Sequence, residues 1–414
     1  MHIPTFLDQV KANRPTASRN FVCLQLALLS VVLAVVPDTF DRYKSVDTIF
    51  RSRFLSKVEA VEAAQTTFDI VKGPDFFDQA SLPAWATAYL FGVAYSYLQM
   101  PGRSSIYGCQ AYSLALSMRV HVPRCYEGLD HITSQMRKRV LWMTLTGIMR
   151  VFERGLDSWT NDLAQNIESE ELVPLNVDDE YITEEQVENQ PARTLSIMAG
   201  FIAEKRILAC LASIWHQSVL RKAHSLASSA EESYSVAKCE CGREIMVKAE
   251  ITVLTDCLRR LRYLLDDIPG PLSAFRRTSP ADESEFDNDD SNKFIIQKTN
   301  LHVTLYWAQN YVIECLLQHT ADRSSDTNLP DEVNLWELRD NLCRDLLLML
   351  AEIPLSNIQK NGFILVYKIR QIAAALLDCP ATNLQLAPIL RRARAHVADF
   401  ASILAQIEGH EFSD

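Results

Sequence analysis

With 414 residues, 48% of them hydrophobic, and a net charge of −11, the chain can bury a large core in one extended domain or two to three compact ones. Its overall negative field gives no reason to expect nonspecific phosphate binding, so any nucleic-acid contact needs a local basic patch. Twelve glycines set against many Leu and Ala lean the chain towards helix, and ten cysteines scattered through apolar stretches suit a reducing, intracellular compartment better than a disulfide framework.

Residues 1–20 are polar and irregular, the composition of a poorly ordered tail. Residues 21–36, FVCLQLALLSVVLAVV, follow Lys11, Arg14 and Arg19, which is the outline of a signal peptide or anchor. The run is 16 residues, short of the ~20 that span a bilayer, and Gln25 and Ser30 interrupt it. A buried core helix is the favoured reading and a membrane segment the alternative, because periodicity does not separate the two. A single helix is then expected over about 46–70, where Ile49, Phe50, Phe54, Val58, Val61 and Phe68 recur near a 3.6-residue period.

Ser81, Leu82 and Pro83 signal the next start, and the helix they open, 84–100, is apolar nearly all round. It carries Trp85, Tyr89, Phe91, Tyr95 and Tyr97 and should be central. A helix over 104–120 follows Pro101 and Gly102, with small residues that allow close packing. The one after it, 134–152, begins with the basic run Arg137, Lys138, Arg139 and continues into Leu141 and Trp142; burial is expected for Trp142 and exposure for Arg137 and Lys138. Residues 153–192 read as a long, acidic, irregular excursion. Helices are expected over 193–226, 244–267, 292–319, 332–352, 363–378 and 384–406, with flexible loops near 225–243 and 270–292. The fold class is therefore all-α, a multi-helix array of packed antiparallel helices over 21–414 with no substantial sheet and no regular helical repeat.

Little in this pattern carries catalytic chemistry. Cys239 and Cys241 form a lone C-x-C without a second pair or a nearby His, which reads as a surface turn. Asp178, Asp179 and Glu180, or Asp287, Asn288, Asp289 and Asp290, hint at the diphosphate-binding motif of an all-helical terpene cyclase. Ile182 stands where the first motif needs an acid, and the second falls in a loop, whereas magnesium needs carboxylates on a rigid frame. Phosphate-loop, nucleophile-elbow and zinc-protease motifs are absent. Arg137, Lys138 and Arg139, like Arg391, Arg392 and Arg394, read as solvated helix faces before they read as phosphate sites. No catalytic, cofactor-binding or metal-ligating residue is assigned.

The ordered stretches nevertheless resemble a known family. Ala111 to His121, with Leu114 and Ala115 inside it, is similar to a phrase A-x-x-L-A-x-x-L-x-L-H. Lys138, Arg139, Val140, Leu141, Trp142 follows as a basic pair and Trp, and Val173, Pro174, Leu175, Asn176, Val177, Asp178, Asp179, Glu180, Tyr181, Ile182 is similar to L-P-x-N-x-D-D-E-x-I. In this order they resemble the fungal-specific transcription factor domain, the middle homology region of binuclear zinc cluster regulators, over about residues 45–380. The resemblance implies a nuclear regulatory domain that is not an enzyme. It implies partners among other transcription proteins or a zinc cluster subunit, in a homo- or heterodimer, and an effector of unknown identity. It makes Leu114, Ala115, His121, Arg139, Trp142, Pro174, Asp178, Asp179 and Glu180 structural residues.

Two departures stand out: Arg154, Gly155, Leu156, Asp157 replaces a Gly-Arg-Pro phrase, and the repeated C-x-x-C-x6-C zinc cluster is missing, so no zinc cofactor is expected in this chain. Without that cluster DNA is reached indirectly or through a segment not in the sequence, the chain being either a fragment or a member without direct DNA binding. Two other functions stay open: the helical cyclase, and a membrane-tethered interaction protein anchored through 21–36.

Overall fold

The computed structural model describes residues 2–12, 18–36, 39–152, 170–192, 194–211, 214, 240–266, 268, 270–273, 288–321 and 331–409. Among them the regular structure is helical, and the one extended pairing is an isolated antiparallel bridge between Ile182 and Val187, so the fold is all-α. Backbone contacts divide the chain into two compact units where one domain over 21–414 is expected. Unit 1 is Met1–Leu156 with Ser169–Met198, and unit 2 is Asp157–Glu168 with Ala199–Asp414.

Unit 1 contains α1 (Ile3–Lys11), α2 (Arg19–Val35), α3 (Thr39–Val46), α4 (Thr48–Arg53), α5 (Lys57–Val71), α6 (Leu82–Tyr97), α7 (Pro101–Ser117) and α8 (His131–Phe152). The apolar run of 21–36 is the α2 helix, which buries Cys23, Leu24, Ala27 and Leu33 against α5 and α6. Ser30 is buried with them at no cost in lost hydrogen bonding, because its Oγ donates to the Leu26 carbonyl one turn back at 2.9 Å. No single helix among the described residues is long and apolar enough to cross a membrane; α2 and α3 meet that criterion only together, and they are bent by 106°.

The aromatic helix α6 is central as expected. Phe91 and Tyr95 are fully buried, Phe91 lies 5.1 Å from Phe68 of α5, and both stack on Tyr107 of α7. Each such ring contributes roughly 1.5–3 kcal/mol by burial. Close approach of α6 and α7 is recorded at Gly92, whose carbonyl accepts from Ser104 Oγ at 2.9 Å.

Three local outcomes differ from the sequence reading, each through capping. The tail over 1–20 contains α1, because Pro4 fits a first turn and the His2 imidazole caps it by accepting from the Thr5 N–H. The single helix expected over 46–70 is broken. Asp47 Oδ1 accepts from Ile49 N at 2.8 Å and Phe50 N at 3.0 Å to start α4; Ser56 Oγ accepts from Glu59 N to start α5, while Glu59 reaches back to Leu55 N at 2.7 Å. Residues 54–56 are therefore a cap and not a helical turn. The α8 helix begins three residues early because Asp130 Oδ1 accepts from Thr133 N at 2.8 Å.

Unit 2 contains a helix over 198–211 (α9), α10 (Glu240–Tyr263), α11 (Asn288–Ala321), α12 (Glu332–Glu352), α13 (Leu355–Gln359), α14 (Gly362–Ala375) and α15 (Ala387–Gly409). The long α11 is its axis, packing on α10, α12 and α14 and burying Leu301, Val303, Ala308, Val312, Ile313 and Leu316. Buried charges join these helices. Arg339 of α12 is fully buried, donates to Glu314 Oε2 at 2.5 Å and to the Ala375 carbonyl at 3.0 Å, and lies over the Trp336 ring. The neighbouring Asp340 pairs with Arg392 at 2.6 Å and His396 at 3.3 Å on α15, and Lys368 of α14 donates to Thr304 Oγ1 of α11 at 2.6 Å.

The loops expected near 225–243 and 270–292 are shorter than that where they are described. Residues 240–243 belong to α10, 270–272 form a 3-10 turn followed by Ser273, and 288–292 belong to α11; 225–239 and 274–287, like 153–169, lie outside the described residues.

Candidate functional site

Arg139, Trp142, Pro174 and Asp179, four of the residues singled out by the resemblance, come together in unit 1, where α8 lies against residues 170–192 of the acidic excursion. This stretch is built from 3-10 turns and a tight bend in which Thr183 N donates to the Gln186 carbonyl and Glu188 N to the Tyr181 carbonyl. Such a segment makes few backbone bonds of its own, so its polar groups need outside partners. α8 supplies them. The Trp142 indole, buried as expected, donates to the Leu172 carbonyl at 2.9 Å, and buried Gln135 accepts from Leu175 N at 2.8 Å. Pro174, between these two anchors, is buried.

Asp179 is the centre of the site. Its Oδ1 accepts from Arg139 Nη2 at 2.6 Å with both side chains largely shielded, and its Oδ2 accepts from Ile3 N at 2.9 Å. Burial alone would raise the Asp179 pKa. The bonds from Arg139 and Ile3 and the Arg139 charge together outweigh that burial and hold the carboxyl below its usual range. His2 completes the clamp. Its Nε2 lies 2.9 Å from the Asp179 carbonyl and 3.1 Å from that of Ile182, so that nitrogen is the donor, while its Nδ1 caps the Thr5 N–H.

Asp178, one residue away, has a different task. Oδ1 accepts from Ile197 N at 2.8 Å and Ser196 Oγ at 3.0 Å, and Oδ2 accepts from Gln190 Nε2 at 2.9 Å, while Gln190 Oε1 accepts from Asp178 N. This fixes the turn that leads into the helix starting at 198. The helix expected from 193 is delayed by that turn, with Ser196 Oγ accepting from Met198 N at 3.0 Å. Glu180 is exposed and takes no part.

Leu114 and Ala115 are buried on α7, which ends where Arg119 adopts φ 52°. His121 beyond it is half-buried, with an Nδ1 that has no hydrogen-bond partner. Arg137 and Lys138 are half-buried and not exposed as expected. Arg137 donates to the Cys125 carbonyl, and burial pushes the Lys138 pKa down, partly opposed by the charge of Glu171.

The oxygens of Asp178 and Asp179 are engaged by N–H groups, a hydroxyl and a guanidinium, an arrangement that positions backbone and leaves neither acid poised as a general base. No group of three or more metal-ligating side chains occurs among the described residues. Cys239 and Asp287 lie outside them, and Cys241, Asp289 and Asp290 fall in the first turns of α10 and α11. A solvent-open recess, lined by Gln65, Lys72, Phe77, Arg103, Tyr107 and Gln110, lies elsewhere in unit 1, its cations paired as Lys72 to Asp69 at 2.6 Å and Arg103 to Glu62 at 2.7 Å.

Sequence reasoning missed His2, Gln135, Gln190 and Ser196. Ser196 had a readable signal, a hydroxyl residue ahead of an apolar period, while His2 had none. No family model, curated protein or solved structure matches the chain.

Proposed function

We propose that the chain is the helical regulatory domain of a nuclear transcription regulator of the fungal-specific, zinc cluster type, acting through a DNA-bound partner subunit or other transcription proteins. One observation carries the reading. The basic-Trp phrase of α8 and the Asp178 to Glu180 phrase, which the resemblance orders along the chain, are joined by the Arg139–Asp179 pair across 40 residues of sequence. Trp142 of the first phrase is buried and donates to the carbonyl of Leu172, the residue just before the second phrase opens at Val173. Such a clamp suits a domain whose helices must hold one arrangement until a partner or effector biases another.

The test fuses the full chain to a heterologous DNA-binding domain and reads a reporter carrying the matching operator. A several-fold change in transcription, diminished by Asp179→Ala in chain that still accumulates in the nucleus, is the expected result. A reporter indifferent to the fusion, with the protein folded and nuclear, removes the proposal.

A further inference from the structure

The segment that joins α2 to α5 has a charge and exposure unlike the rest of this acidic chain. From the end of α2 to the first turn of α5, residues 36–59, the sequence holds five cations, Arg42, Lys44, Arg51, Arg53 and Lys57, against four carboxylates, Asp38, Asp41, Asp47 and Glu59, with Asp41 and Asp47 the two inside α3 and at the start of α4. Asp47 is already engaged in capping α4. None of the five cations forms an ion pair among the described residues. Arg42, Arg51 and Arg53 are exposed, and Lys44 and Arg53 lie over the rings of Phe40 and Phe54 at 5.2 and 5.7 Å.

Aromatic packing holds α3 and α4 together. Phe50 lies 5.6 Å from Phe40, 5.7 Å from Tyr43 and 5.0 Å from Phe54. With that small core satisfied, Val46, Ile49 and Leu55 are left 76%, 72% and 77% exposed. Isolated exposed aliphatics are ordinary; here three stand within ten residues, beside the exposed Arg42, Arg51 and Arg53.

We propose that the α3–α4 hairpin is a peripheral membrane-binding element that seats Val46, Ile49 and Leu55 at the surface of an anionic bilayer while its cations meet the lipid phosphates. Interfacial elements of this kind gain from apolar burial and from attraction to anionic headgroups at once. Charge complementarity alone would equally suit nucleic acid. The aliphatic tips decide against that, because a phosphate backbone offers them nothing to be buried in. This differs from insertion of α2, whose Cys23, Leu24, Ala27 and Leu33 are buried against α5 and α6. It is also independent of the transcriptional reading, so each can fail alone.

Flotation of the full chain with vesicles tests it, using phosphatidylcholine alone or phosphatidylcholine mixed with phosphatidylserine, with a DNA duplex as competitor. The chain should float with the phosphatidylserine vesicles, less so as salt is raised. Arg51→Glu with Arg53→Glu should weaken binding by tenfold or more, since one cation near an anionic surface is worth about fivefold. Val46→Ser with Ile49→Ser should weaken it several-fold while the helical circular dichroism is unchanged. Equal binding to both vesicle types, binding to neither, or DNA binding insensitive to the Val46 and Ile49 changes would each overturn the proposal.

Discussion

Unit 1 and unit 2 both bury charge, but they use it differently. In unit 1 the Arg139–Asp179 pair, with Gln135, Trp142 and His2 around it, ties a helix to chain that is not helical. In unit 2 Arg339, Asp340 and Lys368 tie helix to helix, reaching Glu314, Arg392 and Thr304 on neighbouring elements. The first arrangement supplies partners to backbone groups that no regular element satisfies. The second sets the register of long apolar helices, which hydrophobic contact alone leaves free to slide. Buried polar groups thus take the place of secondary structure in one unit and specify its packing in the other.

The comparison is tested most severely at Arg339. Arg339→Ala leaves the Ala375 carbonyl without its donor and Glu314 without its cation, and should cost about 3–5 kcal/mol; Arg339→Met strands the same two partners and restores only the volume, so it should recover only the cavity part of that loss. Hydrogen exchange of α12 and α14 amides measures both, and a near-neutral Ala variant would remove the register argument. Trp142→Ala belongs to the same range, about 3–5 kcal/mol, because the side chain is only 3% exposed. Trp142→Phe keeps most of the volume and loses the bond to Leu172, for about 1 kcal/mol. If Trp142→Phe leaves exchange at residues 170–175 at the wild-type level, the indole bond is not what orders that segment.

These residues also mark where sequence reading succeeds and stops. Periodicity found the helices and the central place of the aromatic α6, and it put Trp142 inside, because all three depend on local pattern. It joined 46–53 to 57–70 because the apolar spacing runs on through a break made by Asp47 and Ser56, whose caps outweigh the pattern. It treated Asp178 and Asp179 as one cluster, although the partners that separate them lie 18 and 40 residues away at Ser196 and Arg139. His2, whose partner is 177 residues distant, left no local trace. Arg339 and Asp340 did leave one: they stand between Trp336 and Cys343 on the face of α12 that is otherwise apolar, and a charge in that place signals a buried partner.

Asp178 sharpens the contrast at lower energy. It touches only a turn, so Asp178→Ala should cost about 1–2 kcal/mol, as for a lost helix cap, and should raise exchange at residues 194–198 without disturbing the Arg139–Asp179 pair. A larger loss that spreads to 170–175 would show that the two aspartates act as one group after all.

Acid titration separates the units with the smallest effect per step. His302 of α11 is buried and donates to the Leu272 carbonyl at 3.0 Å. Burial pushes its pKa down from 6.5, the bond to Leu272 opposes this, and the nearby Lys298 charge adds to the lowering. Unfolded chain therefore binds the proton first as pH falls below about 6.5. Stability around His302 should decline from there towards its folded pKa, at no more than about 1.4 kcal/mol per pH unit for one proton. The Asp179 carboxyl is also depressed, from 3.8, so its contribution is complete above that value and is lost only as pH falls through the lower folded one. Exchange measured at stepped pH should thus loosen α11 near His302 well before residues 178–182, and His302→Gln should remove the earlier step. Simultaneous loosening of both regions would mean that the titration of buried groups does not distinguish the two units.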